Sequence, residues 1–229
     1  MTDAATLTSL RLGDSFLPVG TDSVSYGLEQ FVATDRVADA EDLAALLETY
    51  FQRQHGPGDL VALRAAHAAT REGDLDGVLA ADRRLTAATL SAEFRESAQR
   101  TGERLLRLQR DLREDDFLDR YAEAVDVGDA PGTYPVAMGV VTALAGVPVR
   151  EACLVACHEF ATGMLGAAQR LLRLGHTDVQ RVLDGLQGAM VAAVEDSADR
   201  SVDEMAPFAP MVDVLSADHE RADRRLFVS

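Results

Sequence analysis

Apolar residues recur at intervals of three and four along most of the chain, which is the spacing of amphipathic helices. The first clear helix follows an N-cap at Asp39, and the sequence Gly56-Pro57-Gly58 is expected to end it. Pro57 would then lie in the first turn of the next helix. Further helices are predicted from caps and periodicity after Asp74, over 91–112, over 135–145, after Pro148, and after a capping box at Thr177-x-x-Gln180.

No segment shows the alternation of a half-buried strand, so the pattern predicts an all-α fold without a sheet. A length of 229 residues with 47% apolar composition suits one domain with a real core. We expect a single-domain bundle of roughly eight to ten helices. Residues 1–215 would form the helical domain, and residues 216–229 a C-terminal tail that docks on partners.

The charged residues of the chain exclude several classes of function. There are 38 acidic and 22 basic residues, a formal net charge of −16, and every basic residue is Arg. Such a surface repels phosphate backbones, which disfavours nucleic-acid binding. The missing Lys excludes a Walker P-loop, a Schiff-base enzyme and a Ser-x-x-Lys hydrolase. The acidity fits a halophilic cytoplasm, where salt screens self-repulsion, or an acidic protein of a GC-rich genome in which Arg replaces Lys.

The N-terminus has neither a basic region nor an apolar run, so no signal peptide is expected. The longest uncharged stretch, 130–149, contains three prolines, and its continuous apolar part is too short to span a bilayer. Two cysteines four residues apart cannot form a disulfide framework. We therefore expect a cytoplasmic protein that does not bind membranes.

One acidic motif suggests an enzyme. Asp115-Asp116-Phe117-Leu118-Asp119 has the spacing with which helical prenyl-diphosphate enzymes hold Mg²⁺ against a diphosphate. Such enzymes need a second Asp-rich site, and none faces this one. We favour a solvated acidic stretch at a helix end and keep the enzyme as an alternative.

A second motif suggests a metal site. Cys153, Cys157 and His158 share one side of a helix, but that side is apolar and rich in small residues. Two buried thiols and a packed histidine are the favoured interpretation. No triad or other catalytic constellation emerges, so we predict no catalytic residue, no bound metal and no cofactor.

The C-terminal tail is unlike a solvated tail. Residues 205–215 are apolar and interrupted by prolines, and residues 216–229 place Arg221, Arg224 and Arg225 beside Leu226-Phe227. Solvated tails are normally polar and poor in aromatic residues. We therefore expect the apolar residues of this tail to be buried, either against its own domain, as in a generic helical oligomer, or against a partner.

Five motifs in order along the chain resemble the urease accessory protein F (UreF) family. They are Leu17-Pro18-Val19-Gly20 with Ser23, Ser25 and Gly27-Leu28-Glu29; Glu93-x-Arg95-x-Ser97 with Gly102 and Leu105-Leu106; Tyr134-Pro135-Val136 with Gly139; Arg170-Leu171 with Gly175 and Thr177; and His219-Glu220 with Arg225-Leu226-Phe227. The chain departs from the family pattern at Thr21, Asp22, Val24, Thr133 and His176.

The resemblance implies an all-helical, non-catalytic protein, often a homodimer. It would bridge the scaffold protein UreD (also called UreH) and the GTPase UreG on apo-urease, and modulate GTP-coupled nickel insertion. The residues carried over by motif match are a tail contact at Arg225, Leu226 and Phe227, flanked by Arg224, His219 and Glu220, and an N-terminal surface at Pro18, Gly20, Ser25 and Glu29. Each of the N-terminal residues is equally open to a purely structural role.

Overall fold

The computed structural model describes residues 1–20 and 25–219, with side chains described up to residue 217. Within these ranges the chain is helical and contains no strand, as the periodicity predicts. The helices are α1 (Asp3–Leu12), α2 (Leu28–Ala33), α3 (Ala40–Tyr50), α4 (Val61–Glu72), α5 (Leu75–Ala88), α6 (Ala92–Leu112), α7 (Asp116–Asp126), α8 (Tyr134–Leu144), α9 (Val149–Leu171), α10 (His176–Gly185), α11 (Gln187–Asp196) and α12 (Pro210–His219).

A π-helical segment, Phe51–Leu60, joins α3 directly to α4, and we call it the π segment. Two short 3-10 turns, Ser197–Asp199 and Val202–Glu204, follow α11. Because α3, the π segment and α4 form one continuous rod, and α10 and α11 are separated only by Leu186, the described chain has about ten rods. This is the upper end of the expected number.

Local capping explains where several helices begin. The side chain of Asp39 accepts hydrogen bonds from the amides of Glu41 and Asp42 at the start of α3. Asp74 and Ser91 cap α5 and α6 in the same way. Each of these caps satisfies amides that have no partner inside the helix, which is worth about 1 kcal/mol.

The expected break at Gly56-Pro57-Gly58 is wrong, because the helix continues through it as the π segment. In an α-helix Pro57 would clash with the carbonyl of Arg53 and leave it without a donor. Here the amide of Phe208 donates to the Arg53 carbonyl at 2.7 Å. The missing side chains of the glycines admit neighbours, since a Cβ on Gly58 would lie 3.0 Å from Pro207. Tertiary contacts thus replace the bonds that proline removes.

The core lies around α4 and α8. Eight of the eleven residues of α8 are buried, including Met138 and Val140. The two helices approach closely at Gly139, where a Cβ would collide with the carbonyl of Leu63. A similar contact joins α6 to the start of α8, because a Cβ on Gly102 would collide with the Gly132 carbonyl. The central motifs therefore carry their glycines at helix crossings.

Two further expectations need correction. The helix predicted after Thr177 begins at His176, and it is Asp178 that accepts the Gly175 amide at 3.1 Å, so the predicted capping box does not form. On α9 the spacing of Leu154, His158, Ala161, Leu165, Ala168 and Leu172 predicts one buried seam, and Ala161, Leu165 and Ala168 are buried. Near the start of α9 a different face of the helix is buried, so that Leu154 is only half-buried and His158 is exposed. No described helix combines the length and the apolarity that crossing a membrane would require.

Candidate docking surface and buried cavity

The N-terminal motif begins as an anchored turn. Leu17 and Val19 are buried, whereas Pro18 between them is exposed. Gly20 has a φ of +85°, and any Cβ there would collide with the guanidinium of Arg104 on α6. Arg104 also donates to the Val19 carbonyl at 3.4 Å. Gly20 therefore sets the turn, and Pro18 is the residue of this turn that a partner could reach.

The second part of the motif enters the core. Ser25 is fully buried, and Tyr26, with a φ of +48°, is followed by Gly27 with a φ of +77°. The hydroxyl of Tyr50 donates to the Tyr26 carbonyl, which fixes this strained turn. α2 starts immediately afterwards and carries the half-buried Glu29. Ser25 thus has a structural position, and Glu29 lies nearer the surface.

The C-terminal helix lies against this motif. α12 packs on α2, and the backbone amide of Ser216 lies close to Gly27. The hydroxyls of Ser216 and Ser91 are hydrogen bonded at 2.6 Å in a buried position. The predicted division between residues 215 and 216 therefore falls inside a helix. His219 ends α12; its side chain and the predicted tail contacts, namely Glu220, Arg224, Arg225, Leu226 and Phe227, lie outside the described residues.

Apolar side chains are exposed on the segment that leads to the tail. Phe208, Met211 and Val214 are 61%, 46% and 57% exposed. Phe208 and Met211 border a groove that Phe31 and Arg53 complete. Large apolar side chains that are exposed next to one another are typical of binding surfaces. We call residues 208–214 with α2 the docking surface.

A cavity of about 70 Å³ lies beside the π segment. The π segment supplies Gln54, His55 and Asp59 to its wall, and α9 supplies Glu159 and Phe160. The imidazole of His55 stacks on Phe160 with ring centroids 5.0 Å apart, and its Nδ1 is 2.9 Å from the Asp59 carboxylate. π-helical turns often occur at functional sites, and this one directs three polar residues to one space.

Two tyrosines on the cavity wall stay protonated. Burial raises the pKa of Tyr134 well above its ordinary value, and the neighbouring Glu159 carboxylate raises it further. Burial also raises the pKa of Tyr26, with Glu159 and Asp59 adding to the effect. The cavity therefore presents neutral phenols beside carboxylates.

The start of α8 is held by a buried carboxylate. Asp82 on α5 accepts hydrogen bonds from the Tyr121 hydroxyl at 2.8 Å and the Gly132 amide at 2.8 Å. Its other oxygen accepts from the Thr133 amide at 3.0 Å and the Thr133 hydroxyl at 2.6 Å. This network positions the turn before Tyr134, and so one wall of the cavity.

Comparison with known proteins identifies the family. The UreF family model matches residues 37–187 of this chain. The chain is 34% identical over 220 residues to "Urease accessory protein UreF 1" of Brucella melitensis, covering 96% of this chain and 91% of the relative. It is 34% identical over 220 residues to "Urease accessory protein UreF" of Yersinia enterocolitica, covering 95% of both chains. This chain belongs to the UreF family.

The motifs of this UreF chain occupy distinct places. The central motif lies on α6, the Tyr134-Pro135 motif opens α8, and Arg170-Leu171 ends α9. Glu29 lies on α2, which packs on α12, whereas Gly20 lies by Arg104 of α6. Thr133, one of the departures from the family pattern, is a donor to Asp82.

Two aspartates of the acidic motif make structural contacts. Asp115 caps α7 by accepting from two amides, and Asp119 pairs with Arg110 at 3.0 Å on the surface. Cys153 and Cys157 are buried as predicted, but the packing predicted for His158 is wrong, because this residue is exposed. No group of potential metal ligands is found within residues 1–20 and 25–217.

Sequence reasoning missed Asp82 and the His55–Asp59 pair. The pair has the i, i+4 spacing of residues on one helical face. Gly56-Pro57-Gly58 predicts a helix end between His55 and Asp59, and with a break there the i, i+4 spacing would not place the two side chains together. Asp82 gives no local signal, since its donors are 39 to 51 residues away in sequence.

Proposed function

We propose that this UreF-family chain acts in urease maturation as a non-catalytic adaptor. It bridges the UreD/UreH scaffold and the UreG GTPase on apo-urease and modulates GTP-coupled nickel insertion. The names of its relatives supply the urease context. In this proposal the chain works in the cytoplasm as a homodimer, and the GTPase supplies the P-loop lysine that this chain lacks.

The observation that carries the proposal is the position of α12. Its inner face is anchored by buried Leu215 and Ser216, while Met211 and Val214, and Phe208 just before the helix, are exposed. An anchored helix can present these apolar side chains to a scaffold without losing much conformational entropy on binding. The docking surface would contact UreD/UreH by burying this apolar strip.

The sequence that follows α12 would complete the contact. Arg224 and Arg225 bring positive charge to a chain of net charge −16, and Leu226 and Phe227 add apolar anchors. His219 and Glu220 link these residues to α12. Glu29 and Pro18 would form the N-terminal part of the interface, while Ser25 and Gly20 keep its backbone in place.

The test is co-purification with the cognate UreD scaffold at high salt, followed by size exclusion with light scattering, first alone and then with UreG and GTP. Three variants separate the parts of the surface: Val214→Glu on α12, Arg225→Ala in the tail, and a chain that ends after His219. Ending there keeps α12 and the buried Ser216 intact. Arg181→Ala, an exposed arginine on α10, is the matched control.

We expect wild type and the control to form a discrete complex that recruits UreG. Val214→Glu should weaken scaffold binding roughly tenfold or more with an unchanged Tm, since it puts a charge into an apolar contact. Arg225→Ala and the shortened chain should fail at scaffold binding or at UreG recruitment. If a folded wild type binds neither protein, the adaptor function is wrong. If the shortened chain binds both, the tail packs on its own domain.

A further inference from the structure

The cavity beside the π segment has the size and walls of a small binding site. Its volume of about 70 Å³ is several times the space that one water molecule needs, which is about 10–15 Å³ by the same measure. Tyr26, Phe94 and Phe160 form an aromatic group on the wall, with Tyr26 5.5 Å from Phe94 and 5.0 Å from Phe160 between ring centroids. Half-buried Thr86 and Arg95 lie on the α5–α6 side.

Two side chains of the π segment bring buried hydrogen-bond acceptors to this wall. His55 is only 7% exposed, and its Nδ1 lies 2.9 Å from the Asp59 carboxylate. Since a carboxylate accepts, Nδ1 carries the proton in the neutral ring, and Nε2 is left as an acceptor. Neither His55 Nε2 nor Gln54 Oε1 forms a hydrogen bond with any described residue, although both atoms are buried.

Negative charge exceeds positive charge on the cavity wall. Asp59 and Glu159 contribute carboxylates to the wall. Arg95 is the one basic residue that lines the cavity within the described chain, and its guanidinium donates to the carbonyls of Thr89 and Leu90 at 2.7 and 2.8 Å. Carboxylates next to aromatic rings favour a cation, which also gains from the ring faces.

We propose that this cavity binds a small cation that carries N–H donors, of the class of ammonium and short alkylammonium ions. The donors would bond to His55 Nε2 and Gln54 Oε1, and Glu159 and Asp59 would balance the charge. A short alkyl group would lie against Phe160 and Tyr26. A metal ion is a poorer fit, because no cluster of three potential metal ligands occurs among the described residues.

The test measures the Tm of the isolated chain while methylammonium chloride is added. Potassium chloride replaces it at constant ionic strength, so the total salt and the charge of the cation stay the same while the N–H donors are lost. Binding to the native state alone raises the stability by RT ln(1 + [L]/Kd), so a saturable rise in Tm gives the affinity. The same titration with ammonium chloride asks whether the alkyl group contributes.

Two variants test the location. Glu159→Gln removes a charge from the wall, and Gln54→Met removes an acceptor of similar size; Glu195→Gln, an exposed glutamate on α11, is the matched control. We expect saturable stabilisation by methylammonium in wild type and control. In each cavity variant we expect an affinity lowered roughly tenfold or more, because an interaction with the cation is lost.

Equal stabilisation by potassium and methylammonium would overturn the proposal, as would an unchanged affinity in both variants. A crystal structure grown in methylammonium that shows only water in the cavity would do the same. The experiment uses no urease protein, so its result is independent of adaptor function.

Discussion

The buried carboxylate of Asp82 allows a sharp test of what holds α5, α7 and α8 together. Tyr121→Phe removes one of its four hydrogen bonds and leaves the packing of a fully buried ring unchanged. A hydrogen bond to a charged group contributes about 1.5–3 kcal/mol, against about 1 kcal/mol for a neutral pair. We therefore expect the free energy of unfolding to fall by about 2 kcal/mol, which lowers the Tm by roughly 4–8 °C for a chain of this size.

The effect should depend on pH in a defined direction. Burial raises the pKa of Asp82, while the bonds from Thr133, Tyr121 and Gly132 lower it. With a raised folded pKa, the contribution of Asp82 to stability is fully present below the ordinary pKa and is lost as pH rises through the raised value. Losing the Tyr121 donor raises the folded pKa further, so the variant should lose more stability as pH rises.

The assay is urea denaturation of wild type and variant at fixed high salt, from about pH 4, near the ordinary pKa of an Asp, to about pH 8. Tyr50→Phe is the matched control, since this buried hydroxyl donates to the neutral carbonyl of Tyr26. It should cost about 1 kcal/mol at every pH. A Tyr121→Phe loss that is the same at both ends of the range, or below that of the control, would refute the account of Asp82 as an ionised hub.

Two further predictions concern helix packing and the thiols. Gly139→Ala should destabilise the protein by about 2–3 kcal/mol, because the added Cβ would collide with the Leu63 carbonyl. Gly188→Ala, which has open space around it, should be neutral or stabilise the protein by about 0.5–1 kcal/mol. Urea denaturation measures both changes, and equal effects would contradict the packing argument. Burial raises the pKa of Cys153 to about 11 and that of Cys157 further, so neither thiol should react with iodoacetamide in native protein at neutral pH, and both should react after unfolding. Mass spectrometry counts the modified thiols, and rapid modification of the native protein would contradict their buried positions.

The all-α fold could be predicted because its signals are local. Asp39, Asp74 and Ser91 cap their helices within three residues of their own positions, so a short window of sequence contains the whole cause. The helix over 135–145 is likewise predicted by its own apolar residues, and the structure has it as α8, Tyr134–Leu144. The family resemblance added the motifs, and the comparisons confirm it.

The errors arise where distant residues decide the outcome. The π segment persists because the amides of Ala206 and Phe208 donate to its carbonyls, and these donors are about 150 residues away in sequence. The turned face of α9, with Cys157 inward and His158 outward, depends on which helices pack against it. Periodicity gives the stripe of a helix but fixes its rotation only to about one residue.

The candidate sites also differ in whether their signal is local or depends on distant residues. Gly20 could be recognised as a turn residue from its motif, and the structure gives the reason in its positive φ and the nearby Arg104. The cavity could not be anticipated, because His55 and Glu159 meet only when the π segment and α9 are packed. The tail contact at Arg225 stays a prediction that the binding experiment has to test.

The π segment also explains why the docking surface and the cavity lie side by side. Pro57 cannot donate to the carbonyl of Arg53, so that carbonyl is free to accept the amide of Phe208, and the Pro57 carbonyl accepts the amide of Ala206. These hydrogen bonds fix the position of residues 206–208, which lead into α12 and its exposed apolar residues. The same widened turns bring His55 and Asp59 to the cavity wall. In a regular α-helix over 51–60 the Pro57 carbonyl would accept from the amide four residues later and would not be open to Ala206, so one local irregularity accounts for both features.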